Sequence, residues 1–133
     1  MDFHVNYLAV LLATISAVVI GSLWYGPIFG KQWMKLNKFT VDDLKKSGPM
    51  WKTILVTATM YLIASFGLSM YLGKEPSISM GAFAGFATAL FWIGTSKFNS
   101  VIYEKLSKEL WLLNFGYDVL VYTIMGIIIG AIQ

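Results

Sequence analysis

The chain has 133 residues, of which 57% are hydrophobic and only 13% are charged, and its formal net charge is +3. This composition lies outside the soluble globular class and indicates a single membrane domain covering residues 1–133. The sequence contains no cysteine and no arginine, which excludes disulfides, cysteine zinc sites and bidentate arginine clamping of phosphate.

Four apolar runs of about 20 residues are long enough to cross a bilayer as helices. We predict an all-α integral membrane bundle with four transmembrane helices, at about 5–25, 51–72, 78–96 and 111–132. The alternating segments of about 10 residues that are typical of membrane barrels are absent. Because the helices use most of the chain, no soluble catalytic domain fits between them.

Lysines are divided unevenly among the connections between these helices. Six lie between the first and second apolar runs, one between the second and third, and three between the third and fourth. By the positive-inside rule the first and third connections face the cytoplasm, and both termini lie outside. We attribute the positive charge to this topology and expect no nucleic-acid partner.

The first predicted helix has a small residue at every fourth position, namely Ala9, Ala13, Ala17 and Gly21. Such a strip lets another helix approach closely, either from the same chain or from a second subunit. Four short helices also enclose little core. Together these features predict a homo-oligomer.

A motif of aromatic residues and glycine follows, beginning Trp24-Tyr25-Gly26-Pro27 and continuing to Trp33. Pro27 lacks a backbone donor and is predicted to end or bend the first helix. Beyond it Phe29, Trp33 and Leu36 share one face, which favours a short helix in the membrane interface. A second short helix is predicted to begin at Thr40, its N-cap, and to stop at Gly48-Pro49.

Polar side chains recur along the second membrane helix at nearly every fourth position: Thr53, Thr57, Tyr61, Ser65 and Ser69. Within a membrane this strip indicates either hydrogen bonds between helices or the lining of a wet cavity. The connection at residues 73–77 is so short that the second and third helices are predicted to be antiparallel neighbours.

Glycines at four-residue spacing mark the last two membrane helices. Gly81 and Gly85 form one pair, and Gly126 and Gly130 form another. This spacing predicts tight helix contacts. Between the two helices, Ile102, Leu106 and Leu110 fall on one face of a predicted second interfacial helix.

Asp118 lies inside the fourth membrane helix, where an ionised acid costs about 2.5–3.5 kcal/mol. Asn114 and Tyr122 fall on the same face at helical pitch, and Tyr61 of the second helix is expected opposite. Lys97 and Lys52 lie at the ends of neighbouring helices, from which either side chain could reach the acid.

Two interpretations of Asp118 stay open at this point. In one, it is a proton or cation site in a small oligomeric transporter or channel. In the other, it is a buried structural residue of a non-transporting membrane protein that is structural, lipid-interacting or accessory. A continuous wet cavity reaching Asp118 would favour the first, and an acid sealed by a lysine would favour the second.

The chain resembles the small bacterial membrane proteins of the domain of unknown function 1761 family. The matching segments are Asn6 to Val10, Trp24 to Pro27, Phe29 to Lys35, Leu112 to Tyr117, and Met125-Gly126. This resemblance implies a four-helix bacterial inner-membrane protein without an assigned activity. It directs attention to the motif residues Trp24, Tyr25, Pro27, Trp33 and Asn114. They are predicted to cluster at one membrane face, with Asn114 near Tyr25.

The sequence offers little for catalysis. Its one histidine, His4, allows no catalytic triad, and no carboxylates and histidines have metal-ligand spacing. We therefore expect no enzyme, no cofactor and no metal. The expected partners are the lipid bilayer and further copies of the chain. The sequence does not identify an ion or small-molecule substrate.

Overall fold

The computed structural model describes residues 4–133, and its helices form four long segments that are apolar enough to cross a membrane. The predicted all-α membrane bundle is confirmed. The segments are Tyr7–Ile28, Met50–Leu72, Ile78–Tyr103 and Lys108–Ile132. We call them spans 1 to 4. Spans 1 and 3 each contain a π-helical stretch.

The helices run in the following order along the chain. Span 1 consists of α1 (Tyr7–Leu23) and a π-helical turn (Trp24–Ile28); then come α2 (Gly30–Asn37) and α3 (Val41–Lys46). Span 2 is α4 (Met50–Leu72). Span 3 consists of α5 (Ile78–Ala87), a π-helical segment (Thr88–Gly94) and α6 (Thr95–Tyr103), and span 4 is α7 (Lys108–Ile132).

Consecutive spans run antiparallel, so the bundle has two distinct ends. The lysine-rich end carries α2, α3 and the loop between α6 and α7. The lysine-poor end carries residues 4–6, the loop at residues 73–77, and Gln133. Both ends of the described part of the chain, residues 4–133, therefore lie on the same side of the bundle.

Pro27 is accommodated inside span 1 and does not end it. The backbone N–H of Phe29 donates to the carbonyl of Trp24 at 2.8 Å, which is the i→i−5 spacing of a π-helix. The span then ends at Phe29, whose φ of −121° leaves the helical region. The motif thus turns the chain into α2, as a bend at Pro27 predicted.

Spans 3 and 4 are held together by the predicted glycine pairs. A Cβ added at Gly81 would overlap the carbonyl oxygen of Gly126, and one at Gly85 would overlap the carbonyl oxygen of Tyr122. Gly130 also lies close to the backbone of Ser77, where a Cβ would overlap the carbonyl oxygen. These backbones touch because no side chain separates them, which is the usual role of such spacing in membranes.

The small residues of α1 face the inside of the same chain. Ala9, Ala13 and Ala17 are fully buried, and Gly21 lies against the hydroxyl end of Tyr117. Their neighbours in the core include the buried side chains Val121, Met125 and Ile129 of α7. The small-residue strips are thus used within one chain and do not argue for a homo-oligomer, which stays a prediction.

Three members of the polar strip of span 2, Tyr61, Ser65 and Ser69, make hydrogen bonds to other parts of the bundle. The Thr14 hydroxyl donates to Ser65 Oγ at 3.4 Å, and Ser65 and Ser69 are both fully buried. At the lysine-poor end the Gln133 amide forms a clasp: its Nε2 donates to the carbonyls of Ser69 and Gly73, and its Oε1 accepts from the Ser69 hydroxyl. These contacts favour the interhelical interpretation of the strip.

Spans 2 and 3 are joined by a short loop but separate beyond it, so the prediction that they pack as neighbours is wrong for most of their length. Span 2 packs mainly on span 1, and span 3 packs mainly on span 4. The loop holds only the two ends together. A lateral groove opens between the spans.

The prediction of a second interfacial helix through Ile102, Leu106 and Leu110 is also wrong. Span 3 continues as a helix to Tyr103, and α7 begins at Lys108, with Ser107 as its N-cap. Lys105 between them has a φ of +55°, a left-handed conformation that interrupts the helix.

Candidate functional site

Asp118 forms an ion pair with Lys97 inside the bundle. Lys97 Nζ lies 2.7 Å from Asp118 Oδ2. Asp118 lies ten residues beyond the first residue of α7, or about 15 Å along its axis. The acid is 2% exposed, whereas the Lys97 side chain is 51% exposed. Lys97 therefore neutralises the buried carboxylate while about half of its own side chain stays exposed.

The π-helical segment of span 3 explains why Lys97 faces span 4. Lys97 lies 16 residues after Gly81, and at about 100° per residue an uninterrupted α-helix would place the two about 160° apart. A π-helix has more residues per turn, so seven π-helical residues rotate α6 back by roughly a third of a turn. Consistent with this rotation, Trp92 would face span 4 in a regular helix but is 65% exposed.

Contacts from α7 hold the rotated segment in place. Trp111 Nε1 donates to the carbonyl of Gly94 at 3.0 Å. A Cβ added at Gly94 would lie 2.5 Å from the Phe115 ring. The Trp111 and Phe115 rings stack with their centroids 4.9 Å apart. Gly94 therefore gives α7 close access to the segment that carries Lys97.

The structure brings Tyr25 and Asn114 together, as the motif predicted. The Tyr25 hydroxyl donates to Asn114 Oδ1 at 2.6 Å. The Tyr25 ring contacts Trp33 at 5.7 Å and Tyr117 at 5.0 Å between centroids, both edge-on. This geometry links span 1, α2 and span 4 through one tyrosine. Pro27 lies exposed at the edge of the cluster and makes the turn that carries Trp33 back.

Trp24 packs on the opposite side of the same turn. Its ring lies 4.6 Å from Phe29 and 6.3 Å from Tyr117 between centroids. A Cβ at Gly116 would lie 3.2 Å from the Trp24 ring, so this glycine lets the indole sit against α7. Trp24 Nε1 is buried and has no hydrogen-bond partner among residues 4–133.

Tyr117 is the central residue that sequence reasoning missed. The Tyr61 hydroxyl donates to the Tyr117 hydroxyl at 2.9 Å, and Tyr117 in turn donates to the carbonyl of Ala17 at 3.4 Å. This chain of hydroxyls ends on a backbone carbonyl. Tyr117 precedes Asp118 by one residue and so lies on another face. The one sequence signal for this contact was Gly21, which has no side chain and so leaves room for a large side chain from another helix.

The remaining predicted residues lie apart from the acid. Tyr122 faces Tyr61, with 6.2 Å between ring centroids, and neither Asn114 nor Tyr122 hydrogen-bonds Asp118 within the described chain. Lys52 is exposed at the lysine-rich end, where its Nζ lies 5.7 Å from the centre of the Trp51 ring. Of the two predicted lysine partners, the structure pairs Asp118 with Lys97.

Two cavities are lined in part by predicted site residues. A small cavity of about 140 Å³ lies at the lysine-rich end, lined by Lys97, Ser100, Ser107 and Asn114 together with the apolar side chains of Val101, Leu106, Leu110 and Trp111. The lateral groove between spans 2 and 3 is larger, about 840 Å³, and its lining is mostly apolar. Neither is lined by Asp118.

The lateral groove runs from the lysine-poor end to about the middle of span 3. Its lining from span 2 is Ala64, Gly67, Leu68, Tyr71 and Leu72; from span 3 it is Met80, Phe83, Ala84, Ala87, Thr88, Phe91, Trp92 and Ile93; and span 4 adds Tyr122.

Within the described chain no group of three or more His, Cys, Asp and Glu side chains could hold a metal ion.

Comparison with known proteins places the chain in one family. The sequence profile described as "Protein of unknown function (DUF1761)" matches residues 8–130, and the chain belongs to that family. No curated protein and no solved structure matches the chain.

Proposed function

We propose that this family member is a non-catalytic, non-transporting membrane protein that binds a lipid acyl chain in its lateral groove. The observation that carries the proposal is the groove itself, an apolar cleft of about 840 Å³ between two membrane spans. Its volume lies in the range of about 300–1,000 Å³ that is common for small-molecule sites. Asp118 then serves to hold spans 3 and 4 in register.

The surroundings of Asp118 support a structural role over transport. A coupling site has to be reached by its ion, through water or along polar groups. Asp118 is 2% exposed, its Oδ2 is bound by Lys97, and neither cavity reaches it. The nearby hydroxyl chain through Tyr61 and Tyr117 stops at the Ala17 carbonyl, so it offers no onward acceptor for a proton.

The shape of the groove favours a flexible chain over a second helix. Helices in membranes associate through small residues that let backbones approach. The glycines of spans 3 and 4 are already used for that purpose within the chain. The groove walls carry large exposed side chains, including Phe83, Phe91 and Trp92. An acyl chain can follow such a surface and gain packing contacts along it.

Gly67 provides a direct test. A Cβ at this position meets none of the described atoms within 4 Å, and the residue lines the groove. Gly67→Phe should fill the groove without disturbing the fold. We expect electron paramagnetic resonance to detect fewer motionally restricted spin-labelled phospholipid chains per protein in this variant than in the wild type. Leu62→Phe, at an exposed position of α4 on a different face from Gly67 and outside the groove lining, is the matched control. Equal numbers in all three proteins would refute the acyl-chain site.

Liposome measurements test the absence of transport separately. Liposomes containing the wild-type protein should be no more permeable to protons or alkali cations than empty ones, at any pH between about 5 and 8. A pH-dependent flux that disappears in Asp118→Asn would overturn the proposal and support the transporter or channel interpretation.

We further propose that the protein lies in a bacterial inner membrane with both termini outside. The bacterial membrane follows from the family resemblance, and the orientation is supported by the lysine distribution. Lys74 is the one lysine at the lysine-poor end, and the other nine lysines belong to the opposite end. Because the chain has no cysteine, Lys74→Cys and Lys38→Cys each introduce a unique thiol. An impermeant maleimide applied to intact cells should label the first and spare the second; the reverse pattern would overturn the orientation.

A further inference from the structure

The lysine-poor end of the lateral groove adjoins the loop at residues 73–77, where spans 2 and 3 meet. This loop connects α4 to α5, and these helices supply the two walls of the groove. Tyr71 and Met80, one on each side of the loop, both line it. A lipid whose chain lies in the groove would therefore have its headgroup beside this loop.

The loop presents one cation next to one anion. Lys74 and Glu75 are both exposed, and they are the only charged side chains at the lysine-poor end within residues 4–133. The ion pair found in this range joins Lys97 and Asp118, so neither loop residue is paired with another described residue. Both charges are thus available to an external group beside this end of the groove.

The conformation of the loop is fixed by its neighbours. Gly73 and Glu75 have φ of +68° and +53°, a left-handed region that only tight turns usually require. The Gly73 carbonyl accepts from Gln133 Nε2, and the Ser77 hydroxyl caps α5 by accepting from the Met80 N–H at 3.1 Å. A loop held in this way presents its side chains with little ordering cost on binding.

We propose that the groove selects a zwitterionic glycerophospholipid with a primary ammonium in its headgroup, of the phosphatidylethanolamine class. This inference rests on the proposed function. Lys74 binds the phosphate diester, and Glu75 accepts hydrogen bonds from the ammonium. A quaternary ammonium has no N–H to donate, and a headgroup without a cation would leave Glu75 beside uncompensated negative charge.

Native mass spectrometry of the purified full-length protein tests this selection. The protein is incubated with equal amounts of phosphatidylethanolamine, phosphatidylcholine and phosphatidylglycerol that carry identical acyl chains. We expect phosphatidylethanolamine to be retained about two- to fivefold over each of the others, as exposed ion pairs allow. Glu75→Gln should remove this preference and raise phosphatidylglycerol, and Lys74→Gln should lower all three. Lys108→Gln, at the opposite end, is the control and should change nothing.

Equal retention of the three lipids by the wild-type protein would overturn the inference. So would a preference for phosphatidylglycerol that Glu75→Gln leaves unchanged, which would indicate an anionic-lipid site. If Gly67→Phe still removes the bound chain in either case, the proposed function stands and only the headgroup selection fails. If Gly67→Phe has no effect on bound lipid, the groove proposal itself fails.

Discussion

Replacing Lys97 with methionine tests whether the buried acid depends on this one partner. Methionine keeps an apolar stem and removes the charge 2.7 Å from Asp118 Oδ2. An uncompensated acid within a membrane costs about 2.5–3.5 kcal/mol, and breaking a buried pair costs about 3–5 kcal/mol. Because the Lys97 side chain is 51% exposed, solvent screening weakens the ion pair. The loss of stability should therefore lie near the low end of these ranges. We expect Lys97→Met to destabilise the bundle by about 2.5 kcal/mol.

A double-mutant cycle separates the ion pair from simple loss of packing. In Asp118→Asn the unpaired Lys97 side chain can extend toward water at the lysine-rich end. This variant should therefore lower the free energy of unfolding by only about 1 kcal/mol. The double variant contains no uncompensated charge and should be more stable than Lys97→Met alone, with a coupling energy of about 2 kcal/mol.

Equilibrium unfolding in mixed micelles with increasing sodium dodecyl sulfate, followed by circular dichroism, provides these free energies. The cycle is closed by the wild type, the two single variants and the double variant. Strictly additive losses, or a Lys97→Met variant as stable as the wild type, would refute the structural role of the pair.

Three further predictions concern other parts of the fold. Gly85→Leu drives a side chain into the backbone of span 4 and should cost about 3 kcal/mol or more; Gly67→Leu, which faces open space, is the matched control in the same unfolding assay. Gln133→Ala removes the clasp at the lysine-poor end and should cost about 1–2 kcal/mol in that assay. Two hydrogen bonds from Thr40 hold the pKa of the Asp43 carboxyl below its usual range. The larger effect comes from the Thr40 backbone N–H and the smaller one from its side chain. Because the pKa of Asp43 is lower in the folded state than in the unfolded state, its ionised carboxylate stabilises α3 at pH values above the unfolded pKa. This stabilisation is lost as the pH falls through the folded pKa. Thr40→Ala should therefore raise the pKa measured by NMR titration.

Each of these predictions has a clear contrary result. Gly85→Leu as stable as its Gly67→Leu control would mean that spans 3 and 4 are farther apart than the structure shows. An unchanged unfolding curve for Gln133→Ala would mean that the clasp is replaced by solvent at no cost. If the pKa of Asp43 is the same with and without the Thr40 hydroxyl, the side chain of Thr40 makes no contribution to it.

The four spans and the close contact of spans 3 and 4 could be read from the sequence, because both depend on local patterns. Apolar length alone predicts a span. Glycines four residues apart predict close backbone contact, which the structure shows between Gly81 and Gly126. The motif predicted that Asn114 lies near Tyr25, and the structure adds the hydrogen bond between them. These features need only the register of single helices.

The tertiary structure alone decided which lysine meets Asp118 and where a ligand could lie. Helical periodicity places Lys97 on the far side of span 3, and only the π-helical segment turns it toward the acid. Likewise, the short loop predicts that spans 2 and 3 meet at one end but does not determine their angle. They separate because span 2 packs on span 1 while span 3 packs on span 4, and the groove is the space left between them. Such choices depend on the packing energies of whole helices, which no single stretch of sequence contains.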